Sequence, residues 1–401
     1  TNGHCSCHLE QPVPCVALCP AGVDVPGYIS LIVDERYADA VKLIRKDNPF
    51  VTSCALVCEH PCETKCRRNF VDDAVNIRGL KRYAADHCGL VPPPECCEST
   101  GKTVAIIGGG PSGAVSAFCL QQTGRKCLIL EKKTHIAEKT CGGFLSSGGI
   151  KALQSIGLDV KELLDMGAVP IHKFIYTRNG EKQIHPYASR EYGLGLTRHL
   201  LNNWLLDYAI KFGAEIQFNT WVKSIVHKDN LFQVNGYTSS NVIIASGANG
   251  ANNFVNQDKH TILNKQSFGL SAQITGVTSL STDNVYFYIT GENGFDYFWI
   301  IPNGNNIWNI GIWFQKVPKD AVSQFWFYKE KIVGSLFSEI EFRRKLKGAY
   351  CGNYTLFKQT SSGCYAVGDA GGFNSFTTGA GLRAAITSAI DVSMEIHKNN
   401  N

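Results

Sequence analysis

Apolar positions divide the chain into two kinds of stretch. Between residues 24 and 48 they recur at steps of three and four (Ile29, Ile32 and Val33, then Ala40, Val41 and Ile44), which predicts two short helices. Residues 71–87 (VDDAVNIRGLKRYAADH) predict a turn and a further helix. From residue 103 the pattern changes. TVAIIG is a β-branched run that reads as a short buried strand, AVSAFCLQQTG reads as a helix closed by Gly124, and KCLILE reads as a second strand. Together they make a β-α-β unit of about 30 residues. Residues 172–190 and 265–315 are rich in β-branched and aromatic residues broken by turn signals, which predicts an antiparallel sheet. A helix over 199–213, a buried strand over 241–247, a strand over 364–368 that runs into Asp369 and a final helix over 379–397 complete the pattern.

The two kinds of stretch meet at LVPPPECCESTGK, residues 90–102. Three successive prolines cannot lie inside a helix, so a domain boundary is expected near residue 98. With 401 residues, 44% hydrophobic and 18% charged, the chain has material for two or three packed domains and too little charge for a disordered one. No run approaches 18 apolar residues, so no transmembrane helix is expected. No charged-then-apolar leader is visible, so a cytoplasmic location is expected. The net charge of +5 is scattered without a basic block, which argues against a nucleic-acid partner.

Cysteine changes the picture. Of 16 cysteines, eleven precede residue 100. Such segregation points to metal rather than disulfides. Cys15-x3-Cys19-Pro is close to the end of a ferredoxin run. Cys5, Cys7, Cys15 and Cys19 form one group and Cys54, Cys58, Cys62 and Cys66 another, enough for two 4Fe–4S cubes, although the x3 spacings would also permit zinc. The segments CPAGVDVPGYISLI, KDNPFVTSCALVCEHPCETKC and VNIRGLKRYAADH resemble the N-terminal iron–sulfur domain of dihydropyrimidine dehydrogenase and the glutamate synthase small subunit. The resemblance implies one cluster on Cys5, Cys7, Cys15 and Cys66, and another on Cys19, Cys58 and Cys62 with a fourth ligand from the closing helix. That family places Gln or Glu at the fourth position. Here it is Lys81, whose ammonium cannot ligate iron, and Cys54, one helical turn before Cys58, is the substitute.

In the β-α-β unit, Gly108 permits a tight turn, Gly110 lets the backbone approach a pyrophosphate, and Gly113 lets helix and strand pack closely. Pro111 and Ser112 open the helix whose N-terminus would hold the phosphates, and Glu131, followed by Lys132, is placed for a ribose hydroxyl. A second glycine-rich stretch, Gly368-Asp369-Ala370-Gly371-Gly372 followed by Thr378-Gly379-Ala380-Gly381-Leu382, favours FAD over NAD. Its Asp369 suits a ribityl chain, and the helix beyond it aims its positive end at a reduced flavin ring. No second G-x-G-x-x-G is present.

These residues resemble the G-D-A-x-G…T-G-x-G signature of the FAD-dependent family that contains geranylgeranyl reductases, aromatic hydroxylases and tryptophan halogenases. Cys141-Gly142-Gly143-Phe144-Leu145-Ser146 resembles the reductases' C-G-G-x-L-S, and Tyr297-Phe298-Trp299-Ile300-Ile301-Pro302 their Y-x-W-x-F-P. Thr197-Arg198 matches their FAD-packing arginine, and Ser246-Gly247-Ala248-Asn249-Gly250 stands for their D-G-A-N-S. The resemblance implies an α/β (α+β) protein: a helical two-cluster iron–sulfur domain (1–90), a linker (91–102), a Rossmann-like FAD-binding domain (103–171, 191–264 and 351–401) and an inserted antiparallel substrate-side sheet (172–190 and 265–350).

The expected function is that of a reductase. Electrons would pass from a ferredoxin or flavodoxin through two 4Fe–4S clusters to FAD, then as hydride to an activated C=C bond of an apolar prenyl, polyene or enone substrate. Cys141, Tyr297 and Trp299 are the candidate catalytic residues, and an apolar substrate leaves room for peripheral contact with a membrane. The alternatives are an electron-transfer subunit of a larger redox complex and a flavin monooxygenase or halogenase.

Overall fold

The computed structural model describes residues 13–48, 51–92, 101–136, 138–189, 191–248, 267–291, 296–351, 359–361, 363–373 and 381–398. The chain divides into two compact units: residues 1–94 with 151–159, and residues 95–150 with 160–401.

The first unit is built from short helices: α1 (Pro14–Ala17), α2 (Val25–Val33), α3 (Tyr37–Arg45), α4 (Val51–Val57), α5 (Pro61–Thr64) and α6 (Ile77–His87). Caps fix two of their starts. Asp24 accepts from the Gly27 N–H at 3.0 Å at the head of α2, and Asn76 accepts from the Gly79 N–H at 2.9 Å at the head of α6. The apolar positions spaced by three and four meet in one core of Val25, Tyr28, Ile32, Ala40, Val41, Ile44, Ile77 and Ala84, with Cys62 among them. Arg45 brings residues 151–159 into this unit, because its guanidinium donates to Val91 O at 2.8 Å and Ser155 O at 3.0 Å.

The second unit holds two large sheets. In the first, β1 (Thr103–Ile107) lies between β2 (Lys126–Leu130) and β12 (Asn241–Ile244), all parallel, with β8 (Glu215–Gln217) beyond β2 and β19 (Cys364–Ala366) beyond β12. Antiparallel β18 (Gln359–Ser361) closes the edge. β1 and β12 are almost wholly buried, as their unbroken β-branched runs require. Helix α7 (Pro111–Gln122) links β1 to β2, and its Gly113, Ala114, Ser116 and Ala117 let neighbours approach from every side. The second unit also holds α9 (Lys161–Asp165), α10 (Arg198–Lys211) and the final helix α12 (Leu382–Lys398), and α8 (Ser147–Ser155) runs from it into the first unit. Two small sheets pair β3 (Phe144–Leu145) and β4 (Val169–Ile171) with β7 (Gly193–Gly195), and β10 (Leu231–Val234) with β9 (Ile225–Lys228) and β11 (Tyr237–Ser239).

The second large sheet runs β17 (Phe337–Cys351), β13 (Ser267–Thr278), β16 (Trp308–Phe314), β15 (Tyr297–Pro302), β14 (Asn284–Ile289), β5 (Lys173–Arg178), β6 (Glu181–Pro186). It departs from the expected antiparallel sheet at one joint, where β14 pairs with β5 in parallel. The hairpin β5–β6 precedes β14 by a long excursion through α10 and the first sheet, so the returning strand is free to enter in the same direction. Alternation gives the sheet two faces. Leu270, Ala272, Ile274, Phe298, Ile300, Ile310 and Ile312 pack with Phe325 of α11 (Ala321–Tyr328). The opposite face carries Ser271, Gln273, Asn309, Gly311, Trp299 and Ile301.

Candidate functional site

The two glycine-rich stretches of the second unit converge. Gly108 has φ of +109° and lies so close to Ala245 O that a Cβ there would sit 2.6 Å from it. A Cβ on Gly113 would overlap Gly108 O, and one on Gly368 (φ +58°) would overlap the Ser112 hydroxyl. Gly368 therefore rests on the first turn of α7, and its N–H donates to Ser388 Oγ of α12 at 2.9 Å. Gly110, the N-cap of α7, offers no side-chain cap, and the space where its Cβ would stand is open. An uncapped helix start, open above and bordered by glycine, fits a pyrophosphate.

Glu131 is buried, and its two oxygens accept from the Gly109 N–H at 2.8 Å and the Lys133 N–H at 3.0 Å. It thus ties down the loop as well as standing at the strand end, a second role that strand-end spacing alone does not show. Lys132 is exposed. Asp369 pairs with Lys139 at 2.6 Å. Burial pushes the Asp369 carboxyl up, but Lys139, with help from Arg198, more than offsets this and holds it below the ordinary carboxylate value. Arg198 is itself buried, and its guanidinium donates to Asn202 Oδ1 one turn along α10 at 3.3 Å. Gly247 (φ +78°) has open space beside it, Gly381 is half-buried and Leu382 is buried at the start of α12. Gly379 and Ala380 lie outside the described residues.

The Cys141-Gly142-Gly143 turn is strapped to the second large sheet. Asn309, fully buried, accepts from the Trp299 indole N–H at 2.9 Å and donates to Cys141 O at 2.8 Å. Asn303 donates to Gly142 O at 3.2 Å and Gly143 O at 3.1 Å. Trp299 leans over Gly311, where a Cβ would overlap its ring. Its polar atom is committed and its ring buried. Cys141 and Tyr297 are partly exposed. Tyr297 meets Phe287 edge-on at 5.2 Å, and Phe287 stacks on Tyr176 at 5.1 Å, giving the sheet face an aromatic row. Glu138 binds the N-terminus of α10 through the Arg198 and His199 N–H groups at 3.2 and 2.6 Å. Asn303, Asn309 and Glu138 thus stand at the candidate site, and sequence reasoning missed them. Lone amides and a lone carboxylate carry no spacing signal.

In the first unit several of the described cysteines lie close to one another. Burial pushes the Cys62 thiol up to about 11, with Glu63, Cys19 and Cys58 adding repulsion. Burial also raises Cys15, to which Cys66 adds. Cys19 and Cys58 thus lie near Cys62, and Cys66 lies near Cys15. Tyr28, buried, stands among Cys62, Cys19 and Cys15 and donates to Ile77 O at 3.2 Å. The Cys58 N–H donates to Cys54 O at 3.0 Å, so Cys54 precedes Cys58 by one turn. Lys81 is buried on α6, and Cys5 and Cys7 lie outside the described residues. Among the described residues no three His, Cys, Asp or Glu side chains gather as ligands of one metal ion. A cube is held at separate corners, one thiolate to each iron, so its ligands need not meet at a point.

Comparison with known proteins agrees with both halves. The family described as dihydropyrimidine dehydrogenase domain II, 4Fe-4S cluster, matches residues 4–90, and the FAD binding domain family matches residues 102–395. The NADPH-Fe(3+) oxidoreductase subunit beta of Geobacter sulfurreducens is 41% identical over 142 residues, 35% of this chain and 21% of that protein. The NADP(+)-dependent formate dehydrogenase subunit beta of Moorella thermoacetica is 33% identical over 184 residues, 37% of this chain and 25% of that protein. The chain thus spans about a quarter or less of these relatives' length. Among solved structures, a geranylgeranyl bacteriochlorophyll reductase-like protein from Thermoplasma acidophilum superposes with a TM-score of 0.60 at 21% identity, over 75% of this chain and 80% of that one. A flavin-dependent halogenase does so at 0.60 and 18%, over 74% and 58%. Both share the fold. No helix among the described residues is long and apolar enough to cross a membrane. With the FAD binding domain family matching nearly three quarters of its length, the chain belongs to that family, as an FAD-dependent oxidoreductase carrying a 4Fe–4S domain ahead of its flavin site.

Proposed function

We propose that the protein is an iron–sulfur flavoprotein reductase that takes single electrons from a ferredoxin- or flavodoxin-like donor and delivers a hydride to an activated C=C bond. The observation that carries this reading is the aromatic row Tyr176–Phe287–Tyr297 beside the strapped Cys141–Gly143 turn. FAD, when bound, supplies the exchange between one-electron and two-electron chemistry. The protein's own contributions are positional. The α7 N-terminus and Gly110 hold the diphosphate, Asp369 and Glu131 accept from its sugar hydroxyls, and Asn309 fixes the height of the Cys141 turn through a bond that side-chain motion of Cys141 does not disturb. The Cys141 thiol is the candidate proton donor. Cys5, Cys7, Cys15 and Cys66 ligate one cluster, and Cys19, Cys58, Cys62 and Cys54 the other.

The test is anaerobic photoreduction followed by mixing with enones and polyenes. Flavin reoxidation with consumption of the double bond supports the reading, and full inertness to every such acceptor sinks it. A second reading, an electron-relay subunit of a larger complex, is favoured by the two relatives above, both named as beta subunits. It predicts rapid flavin reduction by dithionite and no turnover with any small acceptor.

A further inference from the structure

Strand β17 carries a cation that the fold has not used. Arg344 pairs with Gln273 in register, between two irregularities in the β17–β13 ladder. Such bulges re-aim side chains. Here the Arg344 Nη2 donates to the Ser271 hydroxyl at 2.8 Å, while Nε and Nη1 are buried with no hydrogen-bond partner among the described residues. Burial lowers the Arg344 pKa, with Glu138 and Cys141 as the nearby groups that oppose this. Glu138 does not satisfy it. Its oxygens are taken by the Arg198 and His199 N–H groups and by Gln273 Nε2 at 3.3 Å. A partly buried guanidinium with two orphaned donors is costly to maintain, and an oxyanion is the group that completes it.

Its neighbours say where that oxyanion belongs. Ser271, Gly311, Trp299, Phe287 and Tyr176 stand side by side across five strands, each the registered partner of the next. One end of the row is aromatic, the middle is the Trp299 ring seated over Gly311, and the other end is Ser271 with Arg344. A ligand lying along this row would have an apolar, unsaturated body and an anionic head. We propose that Arg344 and Ser271 form a carboxylate subsite beside Cys141, so that the substrate of the flavin site is an unsaturated organic acid rather than a wholly apolar molecule. This rests on the reductase reading above for the fate of the double bond, but not for the binding of the acid.

The test uses the anaerobic holoprotein, with clusters and FAD in place, and two isosteric probes, trans-cinnamate and trans-cinnamamide. Binding is read from the perturbation of the flavin absorption band. Cinnamate is expected to bind at least about tenfold more tightly than the amide. Arg344→Gln should abolish the preference, Arg344→Lys should keep part of it, and Ser271→Ala should weaken it. If Arg344→Gln fails to retain FAD, the Ser271→Ala and Arg344→Lys variants decide. Equal binding of the two probes, no response to either, or an undiminished preference in the variants would overturn the subsite. Reoxidation of the photoreduced flavin is measured separately. A carboxylate preference without reoxidation by cinnamate or any other unsaturated acid would leave the subsite standing and remove the reductase reading.

Discussion

The two units hold their chemistry in opposite ways. In the first, helices of 4 to 11 residues surround a small core, and the candidate cluster ligands are part of that core, Cys62 among them. Helices this short are marginal alone. In the second, two large sheets form the body, and the cradle is made of backbone packed against other backbone. The first unit is expected to be completed by what it binds, and the second to offer a preformed mould.

The largest effect should come from removing iron. The intact protein is expected to hold about eight iron and eight acid-labile sulfide per chain. Anaerobic chelation should unfold the first unit, seen as lost helical circular dichroism and rapid proteolysis before residue 94, because cluster binding is folding energy there. FAD content should be unchanged. Retained protease resistance of iron-free protein would erase the contrast between the units.

Next come the glycines of the mould. Gly113→Ala forces a methyl into Gly108 O and should cost at least about 1–3 kcal/mol, with loss of soluble folded protein. Gly110→Ala meets nothing within 4 Å, so the melting temperature should hold while FAD retention falls, because only the pyrophosphate claims that space. Equal losses in both variants would mean that the mould is not preformed.

How much of this was legible follows the same division. Gly108, Gly113 and Gly368 announce themselves, because only a residue without Cβ fits such close approaches, and the reason is local. The cysteine spacing is equally local. The partners of Asn309 and Arg344 are not, since they depend on which strands lie beside one another and in what register. The parallel β14–β5 joint escaped for that reason, as did the second role of Glu131. The expected helices of the first unit reappear because their apolar periodicity and the Asp24 and Asn76 caps are carried by adjacent residues.

A smaller loss is expected for Asn309→Ala, which leaves the Trp299 indole N–H and Cys141 O without their partner. The cost should be about 1–3 kcal/mol in urea unfolding, with clusters untouched. Smallest is the Lys139–Asp369 pair. The Asp369 carboxyl titrates below its ordinary value near about 4, so its stabilising contribution is complete above that pH and fades as pH falls through the lower folded value. In Lys139→Met burial is left without its main opponent, so FAD release on acidification should begin at a higher pH than in the parent. An unshifted release curve would show that the pair does not set the charge on Asp369.

The rest of Gly368 on Ser112 has a consequence in time. The first turn of the flavin cradle is synthesised early, yet the residues that seat it, Gly368 and Ser388, follow after about two thirds of the chain. At about 5–20 residues per second, translation needs roughly a quarter of a minute to a minute to supply them. β1 gains β12 at residues 241–244, but β12 lacks β19 until residues 364–366 are made. A nascent chain stalled before residue 364 should therefore be unable to retain the flavin, with the β12 edge of the first sheet still open on the ribosome.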